Sequence, residues 1–283
     1  MASTLISASD YNSLRSQVIG VLGDGSTYGG GSYGYGQALS ANVDVVGPPT
    51  PAKVYRTDWT KLLSDLDVIS YHQTNAAYSG TRANAGDKVK AAIVDDASTF
   101  LTNALSGRDT AHPSQLSSQI VAQPRRTSSW GSGPSGIQAI TSIQFGNTTN
   151  SRYFFNQGGK IVFHGVYAYG THTPQNDAWN TAMTNFSYTM LRTDYALVVS
   201  GGSAWTRLYT YNLGSSYYTN DYAIIDASTP DGGDSVSFRI TFEDNHNNVS
   251  DFVDGTIGVD VSVVYAIGAF NGYHPSGSVS QNF

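Results

Sequence analysis

Six histidines, at positions 72, 112, 164, 172, 246 and 274, are the first residues to weigh for chemistry. No two stand two, three or four residues apart, so none forms the short-range pair that a strand or helix presents to one ion. With no cysteine in the chain, a zinc site has no thiolate to complete it. His164 falls in a strand pattern opposite Ile161 and Phe163 and reads as structural or exposed. Two acidic stretches have the oxygen density of a hard-cation site: Asp226 to Asp234 (DASTPDGGD), and Glu243, Asp244, Asn245, Asn247, Asn248, Asp251 and Asp254. Neither has EF-hand spacing, and Asp, Asn and Gly are also what turns require. Turn-building is therefore expected, with calcium as the alternative at either loop.

Serine is abundant, but no G-x-S-x-G elbow sets one up as a nucleophile. Glycoside hydrolysis needs two carboxylates a few ångströms apart; Asp221, Asp226 and Asp260 are candidates that the linear order leaves unplaced. Asp95 and Asp96 are neighbours on a predicted helix, so they point in different directions and read as a solvated face. Trp130, Trp205, Tyr209, Tyr211, Tyr217 and Tyr218 form a sugar-stacking platform if exposed, and core if they alternate inward. The glycines of DGSTYGGGSYGYGQ (24–37) lack the preceding strand and following helix of a phosphate-binding loop. No catalytic residue, cofactor or metal ion is expected, and the chain is not expected to be an enzyme.

Composition narrows the classes further. Charged residues are 13% of 283, against a usual share of about 25%. Tyr outnumbers Phe, 19 to 11, and the polar positions are mostly Ser, Thr, Asn and Gln. That is the make-up of a polar, Tyr-rich contact surface. A net charge of −6 and a pI near 5.3 argue against a nucleic-acid partner, and Arg125-Arg126 is the lone adjacent basic pair. No stretch is apolar long enough to span a bilayer, and the Leu5-Ile6 pair is too short for a signal-peptide core. No membrane partner is expected.

The elements that must position these residues fall into three regions. Residues 1–110 read as an N-terminal attachment region of helices and loops. A helix over 7–22 is capped by Ser7 or Ser9, with Asp10 in its first turn, Tyr11, Leu14, Val18, Ile19 and Leu22 on one face, and Gly23 as its stop. A second, from about Thr57 to Ser70, carries Trp59, Leu62, Leu63, Leu66 and Ile69. A third, over 86–106, is capped by Asp87 and ended by Gly107. Strands hidden in 38–55 and 66–80 remain open as additions to the C-terminal sheets. Residues 111–136, rich in Ser, Pro and Gln, read as a linker.

Residues 137–283 read as an antiparallel β-sandwich with an extended C-terminal arm, which makes the chain α+β. Expected strands are Ile137–Phe145, Arg152–Phe155, Lys160–Tyr169, Phe186–Leu191, Tyr195–Val199, Trp205–Leu213 and Tyr222–Ile225, with a hairpin turn at Gln157-Gly158-Gly159. Val236, Phe238, Ile240 and Phe242 alternate with polar residues, as do Ile257, Val259, Val261 and Val263. A helix over 175–184 starts behind Thr173-Pro174. The arm from Asn271 to Phe283 needs a neighbour to hold it.

Tyr11-Asn12-Ser13-Leu14, Gly34-Tyr35-Gly36-Gln37 and Arg152-Tyr153-Phe154-Phe155-Asn156-Gln157-Gly158-Gly159 resemble segments of virion structural proteins from tailed bacteriophages, particularly cyanophages. There an R-x-F-F-N-x-G-G stretch leads into a strand, a helix opening with Asp near Trp follows, and Asn-Asp-Tyr precedes the final strands. Asp177 with Trp179, and Asn220-Asp221-Tyr222, fit that order; Tyr153 and the Gly/Tyr loop depart from it. The resemblance covers most of the chain and implies a non-enzymatic particle subunit of the tail, neck or baseplate. Such a subunit assembles with itself and other virion proteins, after synthesis in the host cytoplasm. Tyr28, Tyr33 and Tyr35 are the expected assembly contacts. The alternatives are a receptor- or host-glycan-binding tail adhesin, a capsid decoration protein, and a depolymerase or lysin.

Overall fold

Serine and aspartate set the first helix. In the computed structural model, which describes residues 7–23, 34–40, 54–82, 89–131, 135–214, 218–246, 252–270 and 273–283, α1 spans Ala8–Leu22. Ser7 caps it: its side chain accepts from the Asp10 amide, and its own amide donates to Asp10 Oδ2 at 2.8 Å. The second helix, α2 (Arg56–Thr74), starts the same way, with the Tyr55 amide on Asp58 Oδ2 at 2.8 Å, and ends at Asn75 in the left-handed conformation. The third, α3 (Ala91–Ser106), ends at Gly107 as expected; Asp87, the expected cap, lies outside the described residues.

Each helix buries one stripe. Tyr11, Leu14, Val18 and Leu22 of α1 join Trp59, Leu62, Leu66 and Ile69 of α2 and Ile93, Ala97 and Leu101 of α3 in one core. Tyr11 meets Trp59 edge-on, with centroids 5.8 Å apart. Each large side chain there stabilises by roughly 1.5–3 kcal/mol. Since α2 runs to Thr74, the first part of 66–80 is helix, and 41–53 lies outside the described residues.

The chain divides into two compact units. The helical unit takes Met1–Ser117, Arg152–Gly158 and Ala266–Gly272; the other takes Ser118–Ser151, Gly159–Tyr265 and Tyr273–Phe283.

The second unit is the antiparallel sandwich. One sheet runs β1 (Leu116–Ala122), β9 (Gly255–Ala266), β4 (Lys160–Tyr169), β5 (Ser187–Met190), with β2 (Arg125–Arg126) also on β9. The other runs β10 (Ser276–Gln281), β3 (Ser135–Gln144), β8 (Ser235–Asp244), β7 (Tyr222–Ser228), β6 (Thr206–Asn212). The alternation in the sequence sets the inward faces: Val236, Phe238, Ile240 and Phe242 from one sheet, Ile257, Val259, Val261 and Val263 from the other, all buried. Phe163 meets Phe238 across the core at 4.9 Å, and Tyr188 stacks on Tyr209 at 5.1 Å. A further helix, α5 (Pro174–Asn185), is capped by Thr173 and lies on β4. Gly165 permits the approach, since a Cβ there would stand 2.3 Å from the Met183 carbonyl oxygen.

Five expectations are corrected. Arg152–Phe155 is helical, within α4 (Thr148–Asn156), which the division between units crosses. Asn147 Oδ1 caps it by accepting from the Asn150 amide at 2.8 Å. Tyr153, Phe154 and Phe155 are buried in succession, which a strand with opposed faces does not allow on a sheet with one open side. Gln157-Gly158 therefore closes a helix rather than a hairpin, with Gly158 at φ +80°. Tyr195–Val199 is likewise helical, in α6 (Arg192–Gly201): Asp194 Oδ2 accepts from the Leu191 amide at 2.9 Å, and Tyr195 and Val198 point inward at helical spacing.

Within 111–136, β1 and β2 pair with β9 and Trp130 bridges to Val253, so from Ser118 to Gly131 the stretch is part of the sandwich unit instead of a linker. The C-terminal arm is held by its own chain: β10 pairs with β3, and Phe283 stacks on Phe242 at 4.6 Å. Among the described residues no helix is long and apolar enough to cross a membrane.

Candidate functional site

Two buried polar clusters, one in each unit, are the places where side-chain chemistry concentrates. The first is built on the end of α1. A helix leaves its last carbonyls without partners; here Gly34-Tyr35-Gly36-Gln37 supplies the amides. Tyr35 N donates to Val21 O at 2.8 Å, Gln37 N to Leu22 O at 2.7 Å, and Gly34 N to Gly23 O at 2.9 Å. A Cβ on Gly34 would lie 2.4 Å from Val21 O. The carbonyls of this segment are taken in turn: Asn156 Nδ2 donates to Gly34 O at 3.0 Å and Gln157 Nε2 to Tyr35 O at 2.6 Å. Gln73 Nε2 donates to Tyr35 Oη and to the Ala104 carbonyl, both at 2.9 Å.

Tyr35 is thereby corrected from an assembly contact to a core residue. It is fully buried, edge-on to His72 at 4.8 Å and to Phe270 at 5.2 Å. Gly34 beside it lets the backbone reach the end of α1. Tyr28 and Tyr33 lie outside the described residues. His72 Nε2 sits 3.1 Å from the Gln157 carbonyl, which can only accept, so Nε2 carries the proton and Nδ1 a lone pair. Burial pushes the His72 pKa down to about 4 and that of Tyr35 upward.

The second cluster is an acidic pair in the sandwich. The β7–β8 register sets Tyr222 opposite Glu243, so the next pair along is Asp221 and Asp244. Both are fully buried. Asp221 Oδ1 accepts from the Asn245 amide at 2.8 Å, and Asp244 Oδ1 from the His246 amide at 3.0 Å. From the first turn of α5, Gln175 Nε2 donates to Asp244 Oδ2 at 2.7 Å. Gly131, at φ +84°, leaves room for that oxygen, since its Cβ would stand 2.4 Å away. The two carboxyls come within hydrogen-bonding reach of each other, yet Asp221 Oδ2 and Gln175 Oε1 have no donor. Burial raises both pKa values, and with the neighbouring Asp221 charge it pushes Asp244 up to about 6.

The remaining candidates are separate. Asp226 is held by Arg207 and Arg239, and Asp260 by Arg125 and Gln123. In the 226–234 loop, Asp231 accepts from the Ser235 amide at 2.9 Å and Asp234 from Thr148 at 2.7 Å, so these carboxylates serve the turn. Asp254 binds Thr171 and Asn176; residues 247–251 are outside the described set. Asp96 accepts from the Thr81 amide at 3.0 Å. Trp130 and Tyr218 are buried, Trp205 is exposed beneath the Arg239 guanidinium, and Tyr217 is outside the described residues, so the six aromatics form no single platform. Among the described residues no three His, Asp or Glu side chains converge on one point.

Sequence reasoning missed the acidic pair, although the signal was present. Asp244 continues the inward phase of Val236, Phe238, Ile240 and Phe242, and Asp221 that of Ala223 and Ile225. No protein-family model, curated protein or solved structure matches this chain.

Proposed function

We propose that the chain is a non-enzymatic structural subunit of a tailed-phage particle, assembling with itself and with other particle proteins in the tail, neck or baseplate region. The observation that carries this reading is the character of the sandwich edges. β1 and β5 flank one sheet, β10 and β6 the other, and these strands hold one charged residue between them, Arg207. Proteins that live alone blunt such edges with charge, proline, bulges or short strands; β6 and β10 carry a bulge and β5 has four residues, but charge is nearly missing from all four strands. Here β10 reads Ser-Gly-Ser-Val-Ser-Gln; it lies against β1 where Gly277 meets Val121, and Val279 and Ile120 stay exposed beside that contact. Edges of this kind accept a strand or a face from a neighbour.

The residues of the phage resemblance support the same reading. Tyr11, Tyr35, Asn156, Gln157 and Trp179 are all buried, so the likeness concerns a frame. Immunogold labelling of particles purified from an infected culture tests the role. Label on the tail, neck or appendages is expected; abundant protein in the lysate with none on particles overturns it.

A further inference from the structure

The acidic pair poses a chemical problem that the assembly role does not address. Two carboxylates at opposed cross-strand positions, both out of water, repel each other, and each is costly to desolvate. Elsewhere the same chain solves this with arginine: Asp226 has two guanidinium partners, and Asp260 has Arg125. Among the described residues no Lys or Arg acts on Asp221 or Asp244, and the imidazole that acts on both is His246. Backbone amides take one oxygen of each carboxylate and Gln175 takes a second of Asp244. That leaves Asp221 Oδ2 and Gln175 Oε1, on fully buried residues, as acceptors without donors. A buried acceptor left unpaired has lost its water and gained nothing in return.

The orphaned acceptors beside the pair's charge are both oxygens and call for an electropositive partner, while the buried indole N–H groups of Trp130 and Trp179 next to them are donors without acceptors. We propose that Asp221, Asp244 and Gln175 bind a divalent cation of the calcium class. The donor set is all oxygen, which selects hard cations over zinc or copper. Two carboxylates and one amide supply five oxygens, of which Asp221 Oδ2 and Gln175 Oε1 have no donor, and calcium tolerates irregular geometry with water completing a shell of about six to eight. Magnesium demands a stricter octahedron and gives up its water reluctantly. The supports are rigid: the end of β8, the residue before β7 and the first turn of α5.

Two indoles provide the probe. Trp130 precedes Gly131, which abuts Asp244 Oδ2, and Trp179 stands one turn beyond Gln175; their rings are 5.2 Å apart. Terbium, a luminescent stand-in for calcium, is added to the chelator-treated full chain and excited through tryptophan. Saturable luminescence at one ion per chain is expected, displaced by calcium with a Kd on the order of 10⁻⁴ M. At about a hundredfold above Kd, calcium raises the unfolding temperature by roughly 5–10 °C. Asp244→Asn abolishes both effects, while Asp226→Asn, at the arginine-paired carboxylate, retains them. Should Asp244→Asn fail to fold, Gln175→Met removes one oxygen, keeps both carboxylates, and is expected to weaken terbium binding about tenfold or more. Absence of tryptophan-sensitised terbium signal, or an unfolding temperature indifferent to calcium and chelator, overturns the proposal; so does binding that survives in both Asp244→Asn and Gln175→Met.

Discussion

The helical unit and the sandwich each bury a polar cluster, and they handle the cost in opposite ways. Around Tyr35 the buried groups are neutral, and backbone carbonyls meet side-chain amides from Gln73, Asn156 and Gln157; the orphan on the His72 ring is Nδ1, a neutral lone pair. Around Asp221 and Asp244 the groups are acids, amides serve part of their oxygens, and two acceptors are left over. A network of neutral groups specifies one backbone arrangement and has no net charge for a cation to offset. A pair of carboxylates without a cation is specified by the fold and disfavoured by its own charge. The difference separates polar residues that build the frame from polar residues placed to bind.

If the Tyr35 cluster is frame, breaking it should cost the most. Gly34→Val forces a branched side chain against Val21 O and Gly23 N, both backbone atoms that cannot step aside. We expect a loss of about 3 kcal/mol or more in urea unfolding; a loss under about 1 kcal/mol would show that the segment is loosely held.

Acid tests the same cluster with a defined sign. His72 titrates at about 4 when folded and near 6.5 when unfolded. Its contribution is complete above about pH 6.5 and falls away as pH drops toward 4, by up to about 3 kcal/mol. The acidic pair has the opposite sign, because Asp244 at about 6 is raised above the usual 3.8: its contribution is complete below 3.8 and is lost as pH rises through about 6. His72→Phe should therefore flatten the acid limb of the stability curve in chelator, leaving the Asp244 gain on acidification visible. An unchanged acid limb would locate the sensitivity elsewhere. Gln157→Ala comes next: it strips the Tyr35 carbonyl of its donor, and a loss of about 1–3 kcal/mol is expected by thermal unfolding.

Much of this was legible in the sequence, and the failures have physical causes. Ser7 with Asp10, and Thr173 with Pro174, marked helix starts because caps are local hydrogen bonds. Lys160–Tyr169 and Ser235–Asp244 were legible because a period of two is local as well. Arg152–Phe155 and Tyr195–Val199 misled because aromatic and β-branched residues favour strands only weakly, and burial on a helix outweighed that preference. Tyr35 misled because the amides of α1's partner segment find their carbonyls through space. Asp221 and Asp244 are 23 positions apart in number, and only the register of β7 on β8 brings them opposite.

The smallest effect is the sharpest discriminator. Asp244→Asn keeps the size of the side chain and removes one charge. Its carbonyl oxygen can still accept from the His246 amide, as Asp244 Oδ1 does. Its new amide can donate to Asp221 Oδ2, or to Gln175 Oε1 once that amide turns over, and both are acceptors without donors. In chelator at neutral pH we expect Asp244→Asn to be more stable than the native chain by about 1 kcal/mol, because a like-charge contact is exchanged for a hydrogen bond. Asp226→Asn should move the other way, since it leaves Arg207 and Arg239 without their shared carboxylate. With saturating calcium the order of Asp244→Asn and the native chain should reverse, because the native pair then holds a cation that the variant cannot. A variant less stable than the native chain in chelator would mean that the pair is already neutralised within the protein, and that the sandwich cluster is frame like the one around Tyr35.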